Sequence, residues 1–148
     1  MYPFKEPSAF LRAPKLWLFL FVLWLSALCV ASSLHTGLPV QSPKIPHFDK
    51  FLHFTYFLCG SMVFNTWLLL KLGRESSSFV RHLIIIILFG IFGATDEYRQ
   101  TFTPGRSGND LYDWFADILG ACTGLFFAHL FHPLLLKFSS PKFSSDHI

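Results

Sequence analysis

Charged residues are scarce in this chain of 148 residues, of which only 14% are Asp, Glu, Lys or Arg. Ordinary soluble domains carry about 25%, so the chain has too few charges for a typical soluble surface. Hydrophobic residues make up 52% of the sequence and include 19 Phe. This composition excludes an ordinary soluble domain and indicates a small multi-pass membrane protein with one domain.

Several functional motifs are also absent. The cysteines Cys29, Cys59 and Cys122 stand singly in apolar stretches, which excludes a CxxC zinc or redox site and favours a packing role. The sequence contains no glycine-rich phosphate loop, no Ser-His-Asp order and no nucleic-acid-binding module. Its net charge of +3 is modest, so we predict no nucleic-acid partner and interpret the basic residues as signals of membrane topology.

Four segments are long enough to cross a bilayer as helices. Residues 16–34 contain no charge and would extend about 28 Å, close to the hydrocarbon thickness of a membrane. A cleavable signal peptide is the alternative for this start, but the length of the run and the later segments favour an uncleaved span. The other spans are predicted from about residue 49 to 72, at 80–100, and from about 111–113 to 136. Their order predicts an all-α fold, a four-transmembrane-helix bundle.

The distribution of Lys and Arg predicts the orientation, because cytoplasmic loops carry an excess of these residues. Eight of the 12 fall on one side: Lys5, Arg12, Lys15, Lys71, Arg74, Arg81, Lys137 and Lys142. The remaining four fall on the other: Lys44, Lys50, Arg99 and Arg106. We therefore predict a cell (inner) membrane protein with a cytoplasmic N-terminal segment (1–15), a membrane domain (16–136) and a cytoplasmic tail (137–148).

Polar residues concentrate at the predicted extracytoplasmic side. Helical spacing puts Asp49 with His53 on one face, Asp96 and Glu97 with Gln100 on a second, and Asp113 with Asp117 on a third. The third face continues through small residues, namely Gly120, Ala121 and Gly124. Small residues allow close helix contact, so we predict that this face points into the bundle. Charges near lipid are costly and are functional candidates by default.

Two patterns in this region resemble the signatures of the VanZ-like family of membrane proteins. They are Asp49-Lys50-x-x-His53-Phe54, and Glu97-x-x-Gln100-x-Phe102-x-Pro104-Gly105-Arg106 followed by Asp113-x-x-x-Asp117-x-x-Gly120. The resemblance covers about residues 48–125 and implies a four-span envelope protein. Asp117 stands where the family often has Asn. The family takes its name from a member associated with resistance to the glycopeptide teicoplanin, and the resemblance implies no defined reaction.

The charged residues permit catalytic or structural interpretations. Glu97 is a candidate general acid/base, because burial can raise the pKa of a carboxyl group toward neutrality. Alternatively, it pairs with Arg99, Arg106 or Lys50 and holds helices together. His53, assisted by Asp49, is a candidate proton shuttle or metal ligand, or else an interface histidine with satisfied hydrogen bonds. No cofactor is certain, but a divalent cation is possible, with five candidate ligands: Asp49, His53, Glu97, Asp113 and Asp117.

Arg106 follows a predicted Pro104-Gly105 turn and is a candidate phosphate ligand, since guanidinium binds phosphate bidentately. The functional hypothesis is an outward pocket that binds, and could process, an envelope lipid or a lipid-linked wall precursor. Lys50, Gln100, Arg106, Asp113 and Asp117 would be the ligand-binding residues. The alternative is a non-enzymatic scaffold in which the same residues form an interhelical network. The sequence predicts neither catalysis nor an oligomeric state.

Overall fold

The computed structural model contains four α-helices and, among the residues it describes, no strand. The helices are α1 (Pro14–Ser33), α2 (Phe48–Leu72), α3 (Ser78–Gln100) and α4 (Leu111–Lys137). The described residues are 11, 13–33, 46–72, 77–104, 106 and 108–137, with only the backbone of 132–137. The predicted all-α fold with four long helices is thus confirmed. The tail after residue 137 and Gly105 of the predicted turn lie outside the described residues.

Three of the helices are long and apolar enough to cross a membrane: α1, α3 and the part Leu111–Phe131 of α4. Helix α2 has 25 residues, about 37 Å, but polar side chains such as Asn65 make it less apolar. It packs against each of the other three helices and most extensively against α4. Protein contacts therefore cover much of the polar surface of α2.

Aromatic side chains form the core of the bundle. Phe57 and Phe89 are fully buried, and Trp24 of α1 stacks on Phe89 with 5.2 Å between ring centroids. The Trp24 indole donates a hydrogen bond to the carbonyl oxygen of Tyr56 at 2.9 Å. The Tyr56 hydroxyl donates in return to the carbonyl oxygen of Trp24. Two reciprocal hydrogen bonds thus join α1 to α2 within the apolar core.

Helices α2 and α4 run in the same direction and touch backbone to backbone. A Cβ atom added at Gly120 would lie 2.2 Å from the carbonyl oxygen of Phe54, and one at Gly124 would lie 2.3 Å from that of Leu58. The Ser61 hydroxyl of α2 donates to the carbonyl oxygen of Ala121 at 3.0 Å. The close helix contact predicted from the small residues of α4 is therefore confirmed.

The end of α1 is joined to the end of α3. The last four carbonyl groups of a helix lack intrahelical partners, and basic side chains can satisfy them. Here Arg106 donates to the carbonyl oxygen of Ala31 at 3.2 Å, and the Thr103 hydroxyl donates to that of Ser32 at 3.0 Å. Arg99 donates to the Ser33 hydroxyl at 2.7 Å. These contacts join the ends of α1 and α3 at the end of the bundle where α2 and α4 begin, which we call the polar end.

Replacing Gly124 by Ala should destabilise the protein, because the new methyl group would collide with the backbone of α2. Overpacking of this kind typically costs about 1–3 kcal/mol, so we expect the thermal midpoint in detergent to fall by several degrees. Gly90→Ala is the matched control, since its nearest neighbour would lie 4.0 Å away and Ala favours a helix. Equal midpoints for the two variants would contradict the close α2–α4 contact.

Candidate functional site

The polar end contains a group of ionisable side chains buried within the bundle. Asp96, Glu97 and Gln100 lie near the end of α3, and Asp113 and Asp117 lie in the first two turns of α4. All five are at most 5% exposed, and Asp117 is fully buried. Asp117 is six residues from the start of α4, about 9 Å along the helix axis. Carboxyl groups therefore extend well inside the bundle.

One set of contacts centres on Lys50 of α2, and we call it the Lys50 cluster. The Lys50 ammonium nitrogen lies 3.0 Å from carboxylate oxygens of Asp110 and Asp113 and 3.1 Å from Asp49. The hydrogen bond from Lys50 holds the pKa of the Asp110 carboxyl below its ordinary value. Asp110 thus stays ionised at neutral pH. The cluster joins α2 to α4 and to the connection that precedes α4.

A second set, the His53 cluster, comprises His53, Asp96, Glu97 and Asp117. The Nδ1 atom of His53 lies 3.0 Å from Oδ1 of Asp117. An ionised carboxylate only accepts hydrogen bonds, so Nδ1 is the donor of this contact whenever Asp117 is ionised. The other ring nitrogen, Nε2, lies 3.9 Å from Oε1 of Glu97. That distance is too long for a hydrogen bond, so Asp117 is the residue that orients the imidazole.

Backbone and amide groups hold the two α3 carboxylates. Oε2 of Glu97 accepts a hydrogen bond from the backbone N–H of Asp110 at 2.7 Å. The Gln100 side-chain amide donates to Oδ2 of Asp96 at 2.8 Å and approaches Oε1 of Glu97 at 3.4 Å. Oδ1 of Asp96 and Oδ2 of Asp117 are buried and have no hydrogen-bond partner among the described residues. The His53 cluster therefore has unused acceptor capacity.

Arg106 is linked to this cluster through Gln100. One guanidinium nitrogen of Arg106 donates to Oε1 of Gln100 at 3.2 Å. Its Nε is buried and has no hydrogen-bond partner in the described part of the chain. None of the ion pairs found between described residues involves Arg106 or Arg99. Both guanidinium groups bind uncharged oxygens instead, so no carboxylate of the described residues neutralises their positive charges.

The connection between α3 and α4 folds back onto the end of α3. The backbone N–H of Asn109 donates to the carbonyl oxygen of Glu97 at 3.2 Å, and Asn109 adopts a positive φ of 64°. Asn tolerates this conformation better than most residues. A Cβ atom at Gly108 would lie 2.2 Å from the backbone nitrogen of Thr101. The pair Gly108-Asn109 therefore brings the Asp110 N–H onto Glu97.

The structure groups the predicted site residues differently from the sequence pattern. His53, Glu97, Gln100 and Asp117 come together, while Asp49 and Asp113 contact Lys50. His53 is paired with Asp117 rather than with Asp49, whose side chain is 59% exposed. Of the ion pairs considered for Glu97, with Arg99, Arg106 or Lys50, none is formed among the described residues. Arg106 reaches the carboxylates only through Gln100.

Sequence reasoning missed two contributors to the site. Asp96 was assigned to the same helix face as Gln100 but was not considered a site residue. Gly93 provides the space for Asp117, because a Cβ atom there would lie 2.6 Å from Oδ2 of Asp117. Gly93 precedes Glu97 by four residues and so shares its helix face. That spacing is the signal that could have identified it.

The His53 cluster contains three carboxyl groups and one imidazole, which favours the binding of a cation or the transfer of a proton. Asp117 fixes the ring of His53 and leaves Nε2 directed toward Glu97. This is the arrangement by which carboxylates orient histidines that act as metal ligands or as bases. The guanidinium of Arg106, which has no carboxylate partner in the described part of the chain, offers an anion-binding group nearby.

Comparison with known proteins identifies a family but no individual relative. A family model described as VanZ/LLP1 matches residues 1–132. No curated protein and no solved structure shows a significant match to the chain.

Replacing Lys50 by Gln should lower the stability of the bundle. The change leaves the carboxylates of Asp110 and Asp113 close together without a cation, and we expect a loss of about 2 kcal/mol, measured as a lower thermal midpoint. Asp49→Asn is the control, because an exposed ion pair contributes little, and its midpoint should stay near that of the wild type. An unchanged midpoint in Lys50→Gln would show that Lys50 does not hold the helices together.

Proposed function

Since the chain belongs to the VanZ/LLP1 family, we propose that it is a cell-envelope membrane protein that binds a phosphate-bearing lipid headgroup at its polar end. The ligand would be an envelope lipid or a lipid-linked wall precursor, with the lipid tail in the surrounding membrane. A contribution to glycopeptide resistance, implied by the family resemblance, would act through the lipid-linked wall precursor.

The observation that carries this proposal is the state of Arg106. Its guanidinium has a buried Nε without a hydrogen-bond partner, and no carboxylate among the described residues neutralises it. A partly buried cation with no carboxylate partner among the described residues favours an anion, and guanidinium matches phosphate in geometry. A phosphate bound there would be separated from Asp96 and Glu97 only by the side chain of Gln100.

The same arrangement could serve hydrolysis or transfer at a phosphate or an ester. Glu97 would be the acid/base, and His53, oriented by Asp117, would assist it. Asp49 drops out of this assignment because its carboxylate contacts Lys50.

A membrane scaffold is the second candidate, favoured by the Lys50 cluster. One ammonium group binds three carboxylates there, which is the pattern of an interhelical lock. In that case the polar residues would stabilise the bundle, and the protein would act by docking another membrane protein.

We further propose that both termini are cytoplasmic and that the polar end faces outward, from the eight-to-four distribution of Lys and Arg. Two single-cysteine variants are made in a background in which Ala replaces Cys29, Cys59 and Cys122. One carries Thr101→Cys at an exposed position of the polar end, and the other carries Lys71→Cys at the opposite end. Thr101→Cys should react with an impermeant thiol reagent in intact cells, and Lys71→Cys only after permeabilisation. The reverse pattern would contradict the orientation.

Arg106→Gln should weaken the binding of phosphate-bearing lipids. Purified protein in detergent is titrated with farnesyl diphosphate, with dihexanoyl phosphatidylglycerol, and with farnesol as the phosphate-free control. Loss of a charged hydrogen bond costs about 1.5–3 kcal/mol, so we expect affinity for the phosphate compounds to fall about 10- to 100-fold. The wild type should bind farnesol much more weakly.

Lys71→Gln is the matched variant, since it removes one positive charge at the opposite end of α2, and it should bind as the wild type does. Preference for one of the two phosphate probes would distinguish a wall-precursor ligand from a glycerolipid. If the wild type binds neither probe and Arg106→Gln only lowers the thermal midpoint, the scaffold function is supported instead.

A further inference from the structure

We infer that His53, Asp96 and Glu97 form a binding site for a divalent transition-metal ion, with Asp117 as the residue that positions His53. The site would take one ion, with a remaining coordination position for water or for an oxygen atom of a ligand. The inference does not require that a lipid binds at Arg106.

The distances suit a small cation. One possible ligand atom from each of the three residues lies within 4.8 Å of the other two, and Nε2 of His53 is 3.9 Å from Oε1 of Glu97. Bonds to zinc of about 2.0–2.2 Å place neighbouring ligand atoms about 3.3–3.6 Å apart in a tetrahedron. The His53–Glu97 pair would therefore have to close by about half an ångström, and the other ligand pairs by at most about 1.5 Å, to complete this geometry.

The second observation is the buried oxygen of Asp96. The residue is 4% exposed, and its Oδ1 has no hydrogen-bond partner among the described residues. Buried polar atoms in folded proteins are nearly always satisfied by protein, water or an ion. A metal ion that Asp96 bound through this oxygen would satisfy it and neutralise the carboxylates of Asp96 and Glu97.

Each proposed ligand is also held by a partner through its other polar atom. Asp117 holds Nδ1 of His53 at 3.0 Å, the Gln100 amide holds Oδ2 of Asp96 at 2.8 Å, and the Asp110 N–H holds Oε2 of Glu97 at 2.7 Å. Ligating histidines almost always donate their other N–H to a carboxylate or carbonyl group. These contacts hold the three ligand side chains in place from outside the proposed site.

The ligand set indicates the class of metal. Imidazole nitrogen suits zinc and other transition metals, whereas magnesium and calcium prefer oxygen ligands. A second acidic group, Asp49 with Asp110 and Asp113, also has its oxygens within 4.8 Å of one another. There the Lys50 ammonium lies 3.0–3.1 Å from all three carboxylates and already supplies the cation. Of these two groups, the His53 cluster is therefore the one suited to a metal ion.

The test is direct titration of the full chain, purified in detergent without added lipid and stripped with a chelator. Zn²⁺, Mn²⁺ and Mg²⁺ are titrated in competition with a chromophoric chelator, and retained metal is counted by atomic emission. We expect one Zn²⁺ or Mn²⁺ ion per chain, much weaker binding of Mg²⁺, and a thermal midpoint that rises with metal concentration.

Variants distinguish ligands from their surroundings. His53→Gln and Asp96→Asn should each lose at least 100-fold in affinity, and Asp117→Asn should lose about 10- to 100-fold, as expected of a group that orients a ligand. Asp49→Asn and Arg106→Gln should bind metal as the wild type does. Because Arg106→Gln keeps the metal site, failure of lipid binding and failure of metal binding are separable.

Three results would overturn the inference. The first is that neither the metal content nor the thermal midpoint of the wild type responds to Zn²⁺ or Mn²⁺. This result does not depend on the folding of any variant. The second is a folded His53→Gln or Asp96→Asn protein that binds as the wild type does. The third is loss of binding in Asp49→Asn, which would move the site to the Lys50 cluster.

Discussion

The backbone contact between α2 and α4 is the constraint on which the polar end depends. Two glycines of α4 meet the carbonyl groups of Phe54 and Leu58, and the side chain nearest to Gly124 is the small Ser61, so these parallel helices lie close together. At this separation the short side chains of His53 and Asp117 reach each other. The Lys50 ammonium likewise reaches Asp113. A wider spacing would leave those carboxylates buried without partners, which is costly in an apolar bundle.

The two charge clusters next to this contact differ in how their charge is balanced. The Lys50 cluster contains its own cation, which binds three carboxylates from two helices and the connection between α3 and α4. The His53 cluster has carboxylate oxygens without a hydrogen-bond partner among the described residues. The guanidinium of Arg106 is separated from this cluster by the neutral amide of Gln100. Positive and negative charge are thus held apart at short range. Such a separation costs stability in a static scaffold and is useful where a ligand with charges of both signs has to bind, such as a phosphate with its metal ion.

The sequence predicted the helices well and the contacts between them less well. The membrane sets the length of each apolar segment separately, so the ends of a span can be predicted from one segment alone. The observed ends of α2 and α3 lie within about two residues of the predicted ones. Pairing of Asp49 with His53 was inferred from spacing within one helix, yet His53 contacts Asp117 of α4. Which helices are neighbours, and at what distance, depends on all four together. The glycine spacing of α4 indicated a close contact but did not identify α2 as the partner.

The hydrogen bonds at the end of α1 bear on the order in which the bundle is assembled during synthesis. The carbonyl groups of Ala31 and Ser32 are satisfied by Arg106 and Thr103, which leave the ribosome about seventy residues later. Until then α1 can enter the membrane but its last turn must remain hydrated. Completion of the polar end therefore waits for the segment after α3. The end of α1, the end of α3 and this segment become structured together, late in translation.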